Sequence, residues 1–181
     1  MKPGVFTQLY IHIVISPKYR ERLLVKEIRS EIFSYISGIL TNRGHKSIII
    51  NGIIDHAHIF YGENPNDKIS DLVGCIKKES SIFINEKNWF QGKFHWQDGY
   101  GAFSYSRSQL DTVYKYIANQ EQHHKRRTFR EEYTEMLKKF AIEYDEKYLF
   151  DFFDCIDESQ IIPQSESSQA TIINPLRGLR R

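Results

Sequence analysis

The sequence has few cysteines and no long apolar run, and each shortage excludes a class of protein. Its two cysteines, Cys75 and Cys155, are too few for a disulfide framework and lack the paired spacing of a zinc finger. We therefore expect a reducing, cytoplasmic setting. No stretch approaches the ~18 uninterrupted apolar residues of a membrane span. The apolar run near the N-terminus carries His12 and has no small-residue cleavage site behind it. These absences predict a soluble protein that makes no membrane contact.

Net charge is also small, +2 over 181 residues, but the basic residues are clustered. The runs lie at 18–22, 77–78, 125–130 and 177–181. Local clustering matters more than the sum for a nucleic-acid partner. Aromatic residues make up 14% of the chain and many adjoin basic or polar residues. That mixture suits base stacking on single-stranded nucleic acid, and it suits a tightly packed small core equally well.

Hydrophobic periodicity predicts the order of the structural elements. We expect strands at 6–16, 47–54, 56–62 and 94–106, and helices at 25–42, 69–86, 109–124, 128–140 and 144–153. The βαββαβ order predicts an α+β fold: a ferredoxin-like or RRM-like antiparallel sheet with helices on one face, then a tyrosine-bearing helix and a further helix. Residues 1–157 are expected to form one domain. Residues 158–181 are rich in Ser, Gln and Pro, which predicts a flexible tail.

Local signals support several of these boundaries. Gly44 stands where a glycine C-cap would end the first helix. Thr128 followed by Glu131 resembles a capping box at the start of the fourth helix. The short link between the second and third strands suggests an antiparallel pair, although Gly52 is also compatible with a bulge in a longer element.

The segment Asp55-His56-Ala57-His58 places two imidazoles on one face of a strand. Residues two apart in a strand have Cβ atoms roughly 6 to 7 Å from each other, so His56 and His58 can converge on one ion. A structural histidine pair fits the same pattern. Asp55 is compatible with orienting an imidazole, but a turn-forming role is favoured. Signatures of other histidine enzymes are missing: position 60 is Phe, and neither His-Glu-x-x-His nor a second His-x-Thr/Ser motif is present.

Tyr116 and Gln120 are four residues apart and therefore share one face of a predicted helix. The amide oxygen of Gln120 is a hard ligand suited to Mg²⁺ or Mn²⁺. A phenol with a pKa of about 10 is a weak nucleophile, but it becomes effective when a metal has polarised the phosphate it attacks. Tyr114 projects roughly 200° away around the helix and is assigned to packing. His123 and His124 are interpreted as lying on a wet, DNA-facing helix end rather than as ligands.

Taken together, these motifs resemble those of the single-tyrosine HUH transposases of the smallest bacterial insertion sequences and their REP-associated relatives. His56-Ala57-His58 matches the family's His-hydrophobic-His motif, with an alanine smaller than the usual aliphatic residue. Residues 116–120 match Tyr-x-x-x-Gln, and residues 92–106 are similar to the strand that precedes the tyrosine helix. The resemblance runs from about Phe6 to Tyr148.

The resemblance implies a transposase that cleaves and rejoins single-stranded DNA at hairpin-bearing insertion-sequence ends. His56, His58 and Gln120 would bind Mg²⁺ or Mn²⁺, and Tyr116 would attack to leave a 5′-phosphotyrosine and a free 3′-hydroxyl. The covalent intermediate keeps the phosphodiester energy, so no nucleotide cofactor is needed. A homodimer is implied, with the tyrosine working within or between subunits and residues 104–108 as a candidate hinge. Candidate contacts to the DNA backbone are Lys18, Arg20, Lys77, Lys78, Lys125, Arg126 and Arg127.

Three other interpretations remain open from the sequence. A replication or conjugation nickase of the HUH type has the same histidine pair, although this chain has no room for the helicase domain that such proteins usually carry. A domesticated protein that binds DNA hairpins without cutting them would not need Tyr116, Gln120 and both histidines together. The third is a metal-free ferredoxin-like RNA binder.

Overall fold

The computed structural model describes residue 4 and residues 6–18, 24–90 and 92–152. The strands are β1 (Tyr10–Ile15), β2 (Lys46–Ile53), β3 (His56–Gly62) and β4 (Gly101–Tyr105). The helices are α1 (Lys26–Asn42), α2 (Ile69–Glu86), α3 (Leu110–Ala118), α4 (Gln120–His123) and α5 (Phe129–Lys139). Short 3₁₀ turns cover Arg107–Gln109 and Glu146–Tyr148. The expected α+β order is confirmed, while the proposed tail at 158–181 lies outside the described residues.

The four strands form one antiparallel sheet in the order β2-β3-β1-β4, which is the ferredoxin-like arrangement. Side chains alternate across it: Ile13 and Ile59 face the core beneath α1 and α2. His12, His58 and Phe60 occupy the opposite strand positions, on the side that α3 and α5 cover. Within the described ranges, no helix is both long enough and apolar enough to cross a membrane.

Two of the local signals act as expected, and the third is decided by the strand pairing. Gly44 follows α1 with a φ of 78°, a left-handed conformation that glycine adopts without steric cost. Thr128 and Glu131 form the capping box at the start of α5. Gly52 is not a bulge, because it pairs with Ala57 in the β2–β3 hairpin; the irregularity in register lies between Ser47 and Ile49 instead.

Several predicted boundaries are wrong. β1 begins at Tyr10 rather than at residue 6, and β4 begins at Gly101 rather than at residue 94. Trp96, in the segment before β4, forms an isolated bridge with Pro17 rather than part of a continuous strand, and its buried side chain donates from Nε1 to Ser80 Oγ of α2 at 2.8 Å. In the described part of the predicted helix 144–153 only a 3₁₀ turn forms. Beyond that turn, Phe150 and Phe152 pack on α5.

The single helix predicted for residues 109–124 is interrupted at Asn119. Asn51 of β2 causes the break, since its Nδ2 donates to the carbonyl oxygens of Ile117 at 2.8 Å and Ala118 at 3.2 Å. A continuous helix would use those carbonyls to accept the N–H groups four residues later. Tyr116 therefore lies near the end of α3, and Gln120 begins α4.

Candidate active site

His56 and His58 lie on β3, fully buried, with their ring centroids 4.8 Å apart. A second side chain holds the Nδ1 atom of each ring. Asp55 Oδ1 lies 2.7 Å from Nδ1 of His56, and Nε2 of His12 lies 2.8 Å from Nδ1 of His58. These contacts leave the two Nε2 atoms available on the same side. Asp55 therefore has both of the roles considered from the sequence. It lies in the β2–β3 turn, as favoured there, and its carboxylate also orients the imidazole of His56.

The His12 contact determines which tautomers suit a metal site. If His58 presents a bare Nε2 to a cation, its Nδ1 carries the hydrogen and donates to Nε2 of His12. Nε2 of His12 must then carry no hydrogen, so that it can accept this bond. Burial lowers the pKa of both rings, and that of His12 falls well below its ordinary value, which favours the neutral forms. Sequence reasoning missed His12; the available signal was a histidine inside an apolar strand, at a position that faces β3.

Gln120 and Glu132 complete the cluster from two different helices. Gln120 is fully buried; its Oε1 lies 3.3 Å from His56 Nε2, and its Nε2 donates to Glu132 Oε1 at 2.9 Å. Glu132 of α5 is 2% exposed, and its Oε2 lies 3.3 Å from His56 Nε2 and 3.6 Å from His58 Nε2. Sequence reasoning missed Glu132. The available signal was its position, because Glu132 lies within the apolar stripe of α5 rather than on the solvent-exposed face.

These side chains fit a divalent cation. The ligand atoms of His56, His58 and Glu132 all lie within 4.8 Å of one another. Nε2 of His58 is buried and makes no hydrogen bond. Imidazole nitrogens combined with carboxylate and amide oxygens suit Mn²⁺, and Mg²⁺ where oxygen ligands dominate. Gln120 was predicted as the third ligand, and the carboxylate of Glu132 lies beside it in the same cluster.

Electrostatics keep Glu132 ionised inside the protein. Burial alone would raise its pKa, but His58, His124 and His56 hold that pKa well below its usual range. Burial likewise disfavours a charged His56, yet Asp55 and Glu132 outweigh it and raise the pKa of His56 to about 9. Without a cation, a protonated His56 therefore balances the charge of Glu132, and a cation bound between them would replace the proton on His56 Nε2.

The structure brings Tyr116 into the same cluster, within one chain. Its hydroxyl donates a hydrogen bond to Glu132 Oε1, and its ring lies 5.8 Å from that of His58. Burial, together with the negative charge of Glu132, raises the pKa of the phenol far above its ordinary value, so the hydroxyl is protonated. Tyr114 points away, as its spacing predicts, but it is 44% exposed rather than packed in the core.

His123 and His124 also belong to this cluster, contrary to the prediction of a wet helix end. The side chain of His124 is 7% exposed; its Nε2 lies 3.0 Å from Glu132 Oε2 and its Nδ1 lies 2.9 Å from the carbonyl oxygen of Arg127. Nε2 of His123 lies 3.6 Å from Glu132 Oε1. The break at Asn119 explains the difference, since it turns α4 back toward β3 and α5.

A family model described as "Transposase IS200 like" matches residues 5–120. The chain belongs to this family. The ISDra2 transposase TnpA of Deinococcus radiodurans is similar to this IS200-like transposase, with 28% identity over 124 residues that cover 65% of this chain and 87% of that protein.

Solved structures resemble its fold. A Deinococcus radiodurans transposase structure aligns with a TM-score of 0.51 and 25% identity, covering 66% of this chain and 96% of that one. A REP-associated tyrosine transposase bound to a REP hairpin aligns with a TM-score of 0.51 and 15% identity, covering 68% and 74%. At 15% identity this second likeness shows the fold alone.

Five of the predicted DNA-contacting residues of this IS200-like transposase line two different grooves. Lys125, Arg126 and Arg127 line a groove of about 680 Å³ that also contains Tyr116. Lys77 and Lys78 line a different groove of about 770 Å³, on the other side of the sheet. Only the first group therefore lies beside the tyrosine.

Two of the basic candidates, Lys77 and Lys18, make contacts within the protein. Lys77 Nζ donates to the carbonyl oxygens of Gln97, at 2.7 Å, and Gly99. Burial lowers the pKa of Lys77 to about 8. Lys18 Nζ lies 3.9 Å from Asp98 Oδ2. Arg20 lies outside the described residues.

Proposed function

We propose that this IS200-like transposase cleaves and rejoins single-stranded DNA through a covalent bond to Tyr116, with the help of a divalent cation. One observation carries the proposal: the half-buried Tyr116 places its hydroxyl in the same cluster as the buried ligand atoms of His56, His58 and Glu132. A module that only binds nucleic acid has no need for a nucleophile beside a set of metal ligands.

The cation would be Mg²⁺ or Mn²⁺. Bound there, it would supply positive charge that polarises a phosphate oxygen. His56 and His58 would hold it through their Nε2 atoms, and Gln120 would contribute its amide oxygen. Asp55 and His12 would keep the two rings in orientation from behind, which is the usual role of residues that contact metal ligands.

Tyr116 would act as the nucleophile. Its Oη forms a bond to phosphorus while the bond from phosphorus to the 3′-oxygen breaks, which leaves a 5′-phosphotyrosine and a free 3′-hydroxyl. Because the phenol is protonated, it must lose its proton as it attacks, and Glu132 Oε1, which already accepts its hydrogen bond, would take that proton. The departing 3′-oxygen takes up a proton from solvent water, so that it leaves as a hydroxyl. Attack by the 3′-hydroxyl of another strand end reverses the step and rejoins the DNA, so no nucleotide cofactor is needed.

The surroundings of Tyr116 support a single-stranded substrate. The basic groove formed with Lys125, Arg126 and Arg127 offers charge to a phosphate backbone. On the other side of the tyrosine lies a cavity of about 460 Å³, with Tyr105 and Phe140 among its walls. Aromatic walls next to a basic groove suit an unpaired base followed by its phosphate. Recognition of a hairpin is part of the proposal, by analogy with the REP-associated neighbour.

Incubation with single-stranded oligonucleotides that carry imperfect hairpins tests the proposal. In Mn²⁺ we expect a protein–DNA adduct on a denaturing gel, which EDTA abolishes. Tyr116→Phe should form no adduct, whereas Tyr114→Phe, with its exposed phenol, serves as the matched control and should behave as wild type. Hairpin binding without an adduct across many candidate ends would favour a domesticated binding protein. An adduct that survives Tyr116→Phe would exclude this nucleophile.

A further inference from the structure

We propose that Glu132 is a catalytic carboxylate that joins the metal site to the nucleophile: Oε2 is a ligand of the cation, and Oε1 holds the Tyr116 hydroxyl. The inference deepens the proposed function and rests on it. It concerns a residue on α5, a helix that lies beyond residues 5–120, the segment that the family model matches.

The two oxygens of Glu132 face different partners. Oε2 faces three imidazoles: it lies 3.0 Å from His124 Nε2 and, on the side of β3, 3.3 Å from His56 Nε2 and 3.6 Å from His58 Nε2. That places it where a cation held by both rings would find its next ligand. Nε2 of His58, which makes no hydrogen bond, opens onto the same space.

Oε1 is directed toward the tyrosine. It accepts the hydrogen bond from the Tyr116 hydroxyl and another from Gln120 Nε2 at 2.9 Å. Because the two oxygens of one carboxylate are rigidly connected, fixing Oε2 on a cation also fixes where the hydroxyl sits. Such positioning is what an attack by a weak nucleophile requires.

Packing of α5 holds the carboxylate in this orientation. The ring of Phe129 stacks on the ring of His56, with centroids 4.0 Å apart and an interplanar angle of 3°. Tyr133 and Met136 are buried against Phe103 of β4. Glu132 itself is buried among imidazoles, a phenol and an amide. A carboxylate placed there for stability alone would carry a desolvation cost that an apolar residue avoids.

Binding of Mn²⁺ without DNA, measured by isothermal titration calorimetry on the full chain, tests the inference. Glu132→Gln keeps the shape but removes the charge, and we expect it to weaken Mn²⁺ binding by at least about 10-fold. Tyr116→Phe should bind Mn²⁺ as wild type does, because the phenol is not a ligand. Glu135→Gln, one turn further along α5, is the matched control and should also bind Mn²⁺ as wild type.

Glu132→Asp separates metal binding from the positioning of Tyr116. It also provides a second test if Glu132→Gln does not fold. It keeps the charge but shortens the side chain by one methylene. We expect Glu132→Asp to retain more Mn²⁺ affinity than Glu132→Gln while losing most of the DNA adduct, because the shorter carboxylate cannot reach the cation and the Tyr116 hydroxyl together.

Unchanged or tighter Mn²⁺ binding by Glu132→Gln would overturn the ligand role. Full adduct formation by Glu132→Asp would overturn the link to the tyrosine. These failures are distinguishable from failure of the proposed function. A wild-type protein that forms a metal-dependent adduct keeps that function whatever the Glu132 variants do. If wild type binds Mn²⁺ through Glu132 but never forms an adduct, the proposed function fails and the ligand role of Glu132 stands.

Discussion

Nε2 of His12 lies 2.8 Å from Nδ1 of His58, so a histidine of β1 holds one of the two β3 histidines that we propose as metal ligands. The contact is diagonal across the strand pair, since His12 lies opposite Phe60 and His58 lies opposite Val14. Both rings are fully buried. The orientation of His58 therefore depends on a residue outside the proposed set of ligands.

Replacing His12 tests this dependence. His12→Phe fills the same space but removes the hydrogen-bond acceptor, and we expect Mn²⁺ affinity to fall by about 10- to 100-fold. Calorimetric titration measures it. Tyr10→Phe, on the same face of β1, is the control and should leave the affinity unchanged. Equal affinity for His12→Phe and wild type would show that His58 is held by β3 alone.

The tyrosine and the histidine pair of one chain lie together, which predicts catalysis within a subunit. Tyr116→Phe subunits mixed with His58→Ala subunits should then give no adduct. If subunits form a dimer that exchanges α3, the mixture contains one intact composite site and adduct returns. The measurement is adduct yield after co-refolding, and recovery of adduct in the mixture would establish a site shared between subunits.

Gly52 of β2 has no room for a side chain. A Cβ placed there would lie 2.2 Å from the carbonyl oxygen of His56 and 2.8 Å from the Cα of Ala57, and both atoms belong to backbone. We expect Gly52→Ala to destabilise the protein by about 1–3 kcal/mol and to weaken Mn²⁺ binding by displacing His56.

Gly74→Ala is the control for that substitution. Gly74 lies inside α2, and a methyl group placed on it would meet nothing within 4 Å beyond the backbone of its own helix. Alanine should therefore be neutral there or stabilising by up to about 1 kcal/mol. Chemical denaturation measures both variants. Equal stability of Gly52→Ala and wild type would mean that the β2–β3 hairpin shifts to accept the methyl group.

Asp67 predicts a loss of stability in acid. Arg43 donates to both of its carboxylate oxygens, at 2.7 and 2.5 Å, and His45 Nε2 lies 2.9 Å away. The Arg43 guanidinium and His45 hold the pKa of Asp67 well below its usual range in the folded state. The contribution is therefore complete above the unfolded pKa of about 3.9 and is lost as pH falls below it.

Melting temperatures measured between neutral pH and about pH 3 test this expectation. Wild type should lose stability toward the acid end. Asp67→Asn should start lower and lose less over the same range, because it has no carboxylate to protonate. Parallel curves for the two proteins would mean that other carboxylates dominate the acid response.

Local patterns in the sequence determined much of the fold and half of the site. Alternation along β3 placed His56 and His58 on one face, and helical spacing singled out Tyr116 from Tyr114. Short-range rules decide such features, so one segment is enough to read them. The capping box of Thr128 and the glycine end of α1 belong to the same class.

Only the tertiary structure decided the rest of the site. His12, His124 and Glu132 reach it from β1, the end of α4 and α5, and no sequence spacing relates them to β3. Asn51 shows the same limit, because its hydrogen bonds to Ile117 and Ala118 break a helix that local periodicity predicts as continuous. The physical reason is that these residues act through contacts between distant segments, and such contacts exist only once the sheet and its covering helices have packed together.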